Sequence, residues 1–170
     1  KMNKAILMFS GGQDSATCLF WALEKFDVVE TIGFNYNQRH SVELEIRTNF
    51  IEFLQKEFPN HFKKIGEDHK INATNLSEIG DTAMTSDMEI TFSESGLPTT
   101  FVPARNLYFF TLSSAIAYRR NISTLIGGMC ETDYSGYPDC RRTTMDALQS
   151  ALSLGMDKTI ERVTPLMWID

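Results

Sequence analysis

Lys4-Ala5-Ile6-Leu7-Met8-Phe9-Ser10-Gly11-Gly12-Gln13-Asp14-Ser15 is the stretch on which the fold turns. Ala5 to Phe9 is a short continuous apolar run, as a strand buried on both faces should be. From Asp14 to Phe26 the pattern changes, and Ala16, Leu19, Leu23 and Phe26 recur at helical spacing. Two adjacent glycines at the junction let the backbone turn tightly and bring its N–H groups close to a ligand. The helix that follows offers unpaired N–H groups and the positive end of its dipole, a ready anion site. Ser10 and Ser15 add hydroxyl donors, and Asp14 is suited to capping the helix or holding a magnesium ion. The chain has neither the G-x-x-x-x-G-K-[ST] phosphate loop nor G-x-G-x-x-G. Gly-Gly alone does not exclude a plain strand-to-helix turn with a capping Asp.

Working outward, Val28 to Phe34 is β-branched and apolar, a second strand. Ser41 can cap a long helix in which Phe50, Ile51, Leu54 and Phe58 form one stripe, closed by Pro59. A weaker strand is expected around Glu67 to Ile71. Ser77 to Thr100 is polar and broken by Gly80, Gly96 and Pro98, so it reads either as a disordered stretch or as a functional lid. Leu107 to Tyr118 reads as a mostly buried helix, Ser123 to Gly128 as a strand, Arg142 to Leu154 as a helix and Thr159 to Val163 as a last strand. Strands alternating with helices predict a doubly wound α/β fold: a mostly parallel, five-stranded sheet with helices on both faces. No internal repeat or low-complexity tract divides the chain, so residues 1–170 are expected to form a single domain.

Composition narrows the function classes. Sixteen Lys and Arg against 22 Asp and Glu give a net charge of -6, which counts against broad, charge-driven binding of nucleic acid. Apolar residues at 42% and charged residues at 22% are ordinary globular values and argue against wholesale disorder. No apolar run approaches a membrane span, and no signal-peptide cleavage site follows Phe9. Cys18, Cys130 and Cys140 form no C-x-x-C pair, which fits neither a disulfide framework nor a complete zinc site and suggests a reduced, cytoplasmic setting. Cys18 lies on an apolar helix face and reads as packing.

The Ser-Gly-Gly-Gln-Asp-Ser segment at residues 10–15 resembles the ATP pyrophosphatase (PP-loop) superfamily, whose S-G-G-x-D-S loop grips the pyrophosphate end of ATP. Its members typically adenylate an oxygen, release pyrophosphate and let a nitrogen or sulfur nucleophile displace AMP. Three more segments narrow the resemblance: Phe34-Asn35-Tyr36-Asn37-Gln38-Arg39-His40, Pro98-Thr99-Thr100-Phe101-Val102-Pro103-Ala104-Arg105-Asn106, and the run Gly128 to Arg141 with Cys130-Glu131-Thr132-Asp133-Tyr134-Ser135-Gly136-Tyr137-Pro138-Asp139-Cys140. Together with Pro165-Leu166-Met167-Trp168-Ile169-Asp170 they resemble the 7-cyano-7-deazaguanine synthase family, also called preQ0 synthase or queuosine biosynthesis protein QueC. The long cysteine-bounded segment is specific to that family, the glycine loop only to the superfamily.

The resemblance implies an adenine nucleotide alpha hydrolase-like fold and an ATP-dependent ligase. In the expected reaction, 7-carboxy-7-deazaguanine, ammonia and ATP give 7-cyano-7-deazaguanine through an adenylated carboxylate and an amide. It implies ATP contacts at Phe9, Ser10, Gly11, Gly12, Gln13, Asp14, Ser15, Ala16 and Thr17. Substrate contacts are implied at Tyr36, Gln38, Phe101, Asn106, Glu131, Thr132, Asp133, Tyr134 and Tyr137, and catalytic roles at Asp14, Arg39 and Arg105. Glu131 and Asp133 are acceptors suited to the N–H edge of a deazaguanine, and Phe101, Tyr134 and Tyr137 offer flat faces for its ring. Arg39 and Arg105 can hold carboxylate or phosphate oxygens in bidentate fashion. Positioning and electrostatics dominate such chemistry, so no serine–histidine nucleophile is required.

Each residue also has a plainer reading. Asp133 to Gly136 can be a surface turn, Arg39-His40 a solvated loop end with His40 a helix cap, and Arg105-Asn106 the start of a helix. Asn35, Asn37 and Ala104 depart from the Asp, Gly and Gly common in relatives. The resemblance further implies ATP with Mg2+, a homodimer, no nucleic-acid or membrane partner, and a lysine and a zinc-binding cysteine cluster beyond Asp170, with none of the zinc ligands in these residues. The alternatives are another PP-loop enzyme modifying tRNA and a nucleotide-binding module without catalysis.

Overall fold

The computed structural model describes residues 2–9, 13–35, 38–79, 103–127, 138 and 141–164; for residues 13, 14, 38–44 and 77 only the backbone course is described. The strands are β1 (Lys4–Met8), β2 (Val28–Asn35), β3 (Ile65–Asn72), β4 (Thr124–Gly127) and β5 (Glu161–Val163). The helices are α1 (Gln13–Lys25), α2 (Gln38–Glu57), the single turn α3 (Pro59–Phe62), α4 (Arg105–Arg119) and α5 (Arg142–Gly155), with a 3-10 turn at Thr74–Glu78. Among the described residues, five strands make one sheet in the order β3-β2-β1-β4-β5, and every pairing is parallel. The expected doubly wound α/β architecture is therefore observed.

The apolar run of β1 is explained by its central place. Leu7 is in register with Thr31 on one side and Ile126 on the other. Side chains alternate along a strand, so β1 feeds two cores. Ala5, Leu7 and Phe9 pack with Cys18, Leu19, Ala22 and Leu23 of α1 and Leu54 of α2. Ile6 and Met8 face the other way, with Phe109, Phe110 and Ala117 of α4 and Met145 of α5. Cys18 is buried, as its place on the apolar face of α1 suggested.

Several boundaries differ from the sequence reading. The long helix starts at Gln38, so Ser41 stands inside it rather than at its cap. His40 likewise lies within the helix. Pro59 follows α2 and also opens α3, where a missing N–H removes nothing. β3 is longer than expected and half exposed, as an edge strand can be. Its register against β2 shifts between Val29 and Thr31. Residues 80–100, most of the segment read as lid or flexible connection, lie outside the described residues. No helix among the described residues is long and apolar enough to cross a membrane.

Candidate functional site

From β1 the chain winds outward through β2 and β3, then returns to β4 on the other flank of β1. The reversal lies between β1 and β4, and ligands of open parallel sheets bind outside the strand carboxyl ends at such a point. In sequence, Ser10-Gly11-Gly12 follows the carboxyl end of β1 there. Phe9 extends the strand by one residue, its N–H donating to the Ile32 carbonyl at 2.8 Å. Gln13 opens α1, so the N-terminal end of that helix, the positive end of its dipole, lies at the same edge. Of the residues assigned to ATP, Phe9 and Ser15 are buried, Ala16 is half buried and Thr17 is exposed. Ser10, Gly11 and Gly12 and the side chains of Gln13 and Asp14 lie outside the described residues.

Helix α4 reaches this edge from the other face of the sheet. Phe109, in its second turn, stacks on Phe34 near the end of β2, ring centroids 4.1 Å apart and planes 9° from parallel. The Asn75 amide donates to the Tyr108 hydroxyl at 3.4 Å, which ties the 3-10 turn after β3 to the same helix. These contacts set the start of α4 beside the end of β2. Arg105 there is half buried, and Asn106 is buried at 4% exposure. Arg105 does start a helix, as its plainer reading had it. Ala104 precedes it in the left-handed region, at φ 62° and ψ 13°, where glycine is at ease and alanine is strained. This gives physical weight to the departure at that position.

The backbone of Gln38 and Arg39 forms the first turn of α2, next to the end of β2. Their side chains, together with Tyr36, Phe101, Glu131, Thr132, Asp133, Tyr134 and Tyr137, lie outside the described residues. What is brought together is thus the glycine-turn flank, the end of β2 and the first turns of α1, α2 and α4.

Two charged clusters escaped the sequence reading. Arg47 of α2 is buried, its guanidinium paired with Asp68 of β3 and donating to the Thr31 hydroxyl at 3.3 Å. Burial pushes its pKa down to about 10, so it remains a cation at neutral pH. The signal was present: Arg47 falls on the stripe of Phe50, Ile51 and Leu54 at helical spacing, while Ile46 beside it is 48% exposed. The second cluster joins Glu30 of β2 with Glu67 and His69 of β3, three groups close enough to share a metal ion. Arg120 already fills it, Nη2 lying 2.9 Å from Glu30 and 3.1 Å from Glu67. With its charge balanced in that way, the group is an ion-pair network.

The model of the family described as queuosine biosynthesis protein QueC matches residues 4–170. The chain belongs to the QueC family. Among its relatives, 7-cyano-7-deazaguanine synthase of Paraburkholderia phytofirmans is 58% identical over 168 residues, covering 99% of this chain and 69% of the relative. The enzyme of the same name from Paracidovorax citrulli is 58% identical over 170 residues, covering 100% of this chain and 72% of the relative. Solved structures support the fold of this QueC-family chain. A 4-thiouridine synthetase solved with RNA and bound ATP matches 99% of the chain and 38% of its own, with TM-score 0.61 and 16% identity. A predicted subunit of a tRNA methyltransferase from Methanocaldococcus jannaschii matches 99% of the chain and 70% of its own, with TM-score 0.57 and 17% identity.

Proposed function

We propose that this QueC-family chain converts 7-carboxy-7-deazaguanine, ammonia and ATP into 7-cyano-7-deazaguanine. The observation that carries the reading is 58% identity, over nearly the whole chain, to relatives named 7-cyano-7-deazaguanine synthase. The geometry fits. A glycine turn and a helix N-terminus at the reversal of strand order suit a nucleotide pyrophosphate. Ser10, Gly11, Gly12 and Ser15 would hold it, and Asp14 would hold its Mg2+.

Arg39 and Arg105, at the first turns of α2 and α4, would balance charge as the substrate carboxylate attacks the α-phosphorus and pyrophosphate leaves. Ammonia then displaces AMP, giving the amide and a proton. A second ATP adenylates the amide oxygen with loss of pyrophosphate, and departure of AMP with the remaining amide protons leaves the nitrile. Glu131 and Asp133 would read the N–H edge of the deazaguanine, with Phe101, Tyr134 and Tyr137 against its ring. Tyr36, Gln38, Asn106 and Thr132 would complete the substrate pocket.

The reading takes residues 1–170 as one ATP pyrophosphatase-type domain of a cytoplasmic homodimer acting on a free base. Zn2+ belongs to the reading only as a cofactor that the family resemblance implies. A net charge of -6 favours a small substrate over tRNA. Incubation with ATP, ammonium and 7-carboxy-7-deazaguanine should yield AMP and the nitrile by mass spectrometry. Absence of AMP formation that depends on the deazaguanine would sink the reading.

A further inference from the structure

Arg47 raises a physical question, because a buried cation is costly and apolar neighbours occupy the rest of its stripe. Asp68 beside it is 40% exposed, and a hydrophobic residue in place of such a pair is often neutral or stabilising. The guanidinium does more than meet Asp68. Its Cζ lies 5.5 Å from the centroid of the Phe9 ring, within cation–π range. Its Nη1 lies over Gly33: a Cβ there would be 2.8 Å from Nη1 and 3.5 Å from the Phe9 carbonyl oxygen. The guanidinium and the Phe9 carbonyl therefore lie next to the same point above β2, and a side chain at residue 33 would displace the guanidinium while meeting the carbonyl at ordinary contact distance. The Thr31 hydroxyl donates to Asp68 at 2.8 Å and accepts from Arg47, so the fork is held in place by β2 and the edge strand β3.

We propose that Arg47 is a positioning residue for nucleotide binding: it clamps Phe9, the last residue before Ser10-Gly11-Gly12, against Gly33 of β2. Resting on the reading of the glycine turn as the ATP site, the inference adds the residue that fixes where that turn begins. A loop launched from a fixed point loses less freedom when it closes on a pyrophosphate, which appears as affinity. Ile46, the neighbour on the same helix, faces solvent and has no such role.

The test is calorimetric titration of the whole chain with Mg·ATP, counting sites by stoichiometry, alongside KM for ATP and for 7-carboxy-7-deazaguanine. Arg47→Met and Gly33→Ala should each weaken ATP binding by about tenfold to a hundredfold per folded site. KM for the deazaguanine should stay within about twofold, a split that lost folded protein alone would not produce. Arg47→Lys keeps a cation above the ring and loses the fork, so its affinity should fall between wild type and Arg47→Met. Wild-type ATP affinity in folded Arg47→Met overturns the inference. Should that variant fail to fold, Gly33→Ala decides, and wild-type affinity there overturns it equally. Wild-type protein that makes nitrile while the variants bind ATP normally defeats this inference alone. Wild-type protein that binds no ATP defeats the reading of the site as well.

Discussion

Arg120 closes on Glu30 from 90 residues away, with Nε 2.9 Å from Oε1 and Nη2 2.9 Å from Oε2. His69 approaches the same carboxylate, its Nε2 2.8 Å from Oε1. Burial on its own would raise the pKa of Glu30. The hydrogen bonds from Arg120 and then His69 outweigh burial, and the net direction is down. The folded chain therefore holds this proton less tightly than the unfolded chain. The stabilisation is present above the ordinary glutamate range and is lost as pH falls through the lower folded value. The urea midpoint of wild type should exceed that of Glu30→Gln at pH 7, and the gap should narrow on acidification below the ordinary glutamate range. A gap that stays constant down to pH 3 would contradict the assignment.

The stack of Phe34 on Phe109 joins the end of β2 to the second turn of α4. Truncation of a buried phenylalanine typically costs about 3–5 kcal/mol in lost burial and cavity. Phe109→Ala should show a loss of that size in denaturant unfolding, with the slope of the transition unchanged. A loss under about 1 kcal/mol would mean that the contact does not hold α4 in place.

Ala104 carries a positive φ of 62° immediately before Arg105. An L-residue in this region costs about 1–2 kcal/mol, and the greater unfolded freedom of glycine offsets part of what replacement recovers. Ala104→Gly should stabilise the chain by about 0.5–1 kcal/mol, a rise in Tm of about 1–4 °C. A fall in Tm would show that the turn does not keep this conformation.

The glycine turn makes a separate prediction for ligand binding. Ser10→Ala and Asp14→Ala should each weaken ATP binding about tenfold or more, because in the proposed site each removes a phosphate or magnesium contact. Glu131→Gln should instead raise KM for the deazaguanine and leave the ATP Kd near wild type. Unchanged ATP affinity in both loop variants, measured by calorimetry, refutes the loop role.

The alternation of strands and helices was legible because burial leaves local marks. β1 and β4 lie inside the sheet and read as continuous apolar runs, while α1 shows its inward stripe at Leu19 and Leu23. The boundary at Ser41 misled, since a capping residue type marks a helix start only when the backbone there leaves the helix, and α2 runs through it from Gln38. The place of Arg47 on an apolar stripe marked it as buried, but what it meets there, Asp68, Thr31 and Phe9, became known only with the strands paired.

By itself the sequence determined the element types, the glycine turn after β1 and the family to which its motifs point. All of these rest on residues close together along the chain. The tertiary structure alone decided the order β3-β2-β1-β4-β5, and with it the meeting of Glu30 with Arg120 and of Arg47 with Phe9 and Asp68. Those relationships join residues on separate strands and helices. Their energies depend on burial and on partners brought together by strand pairing, which a local pattern of residue types does not encode.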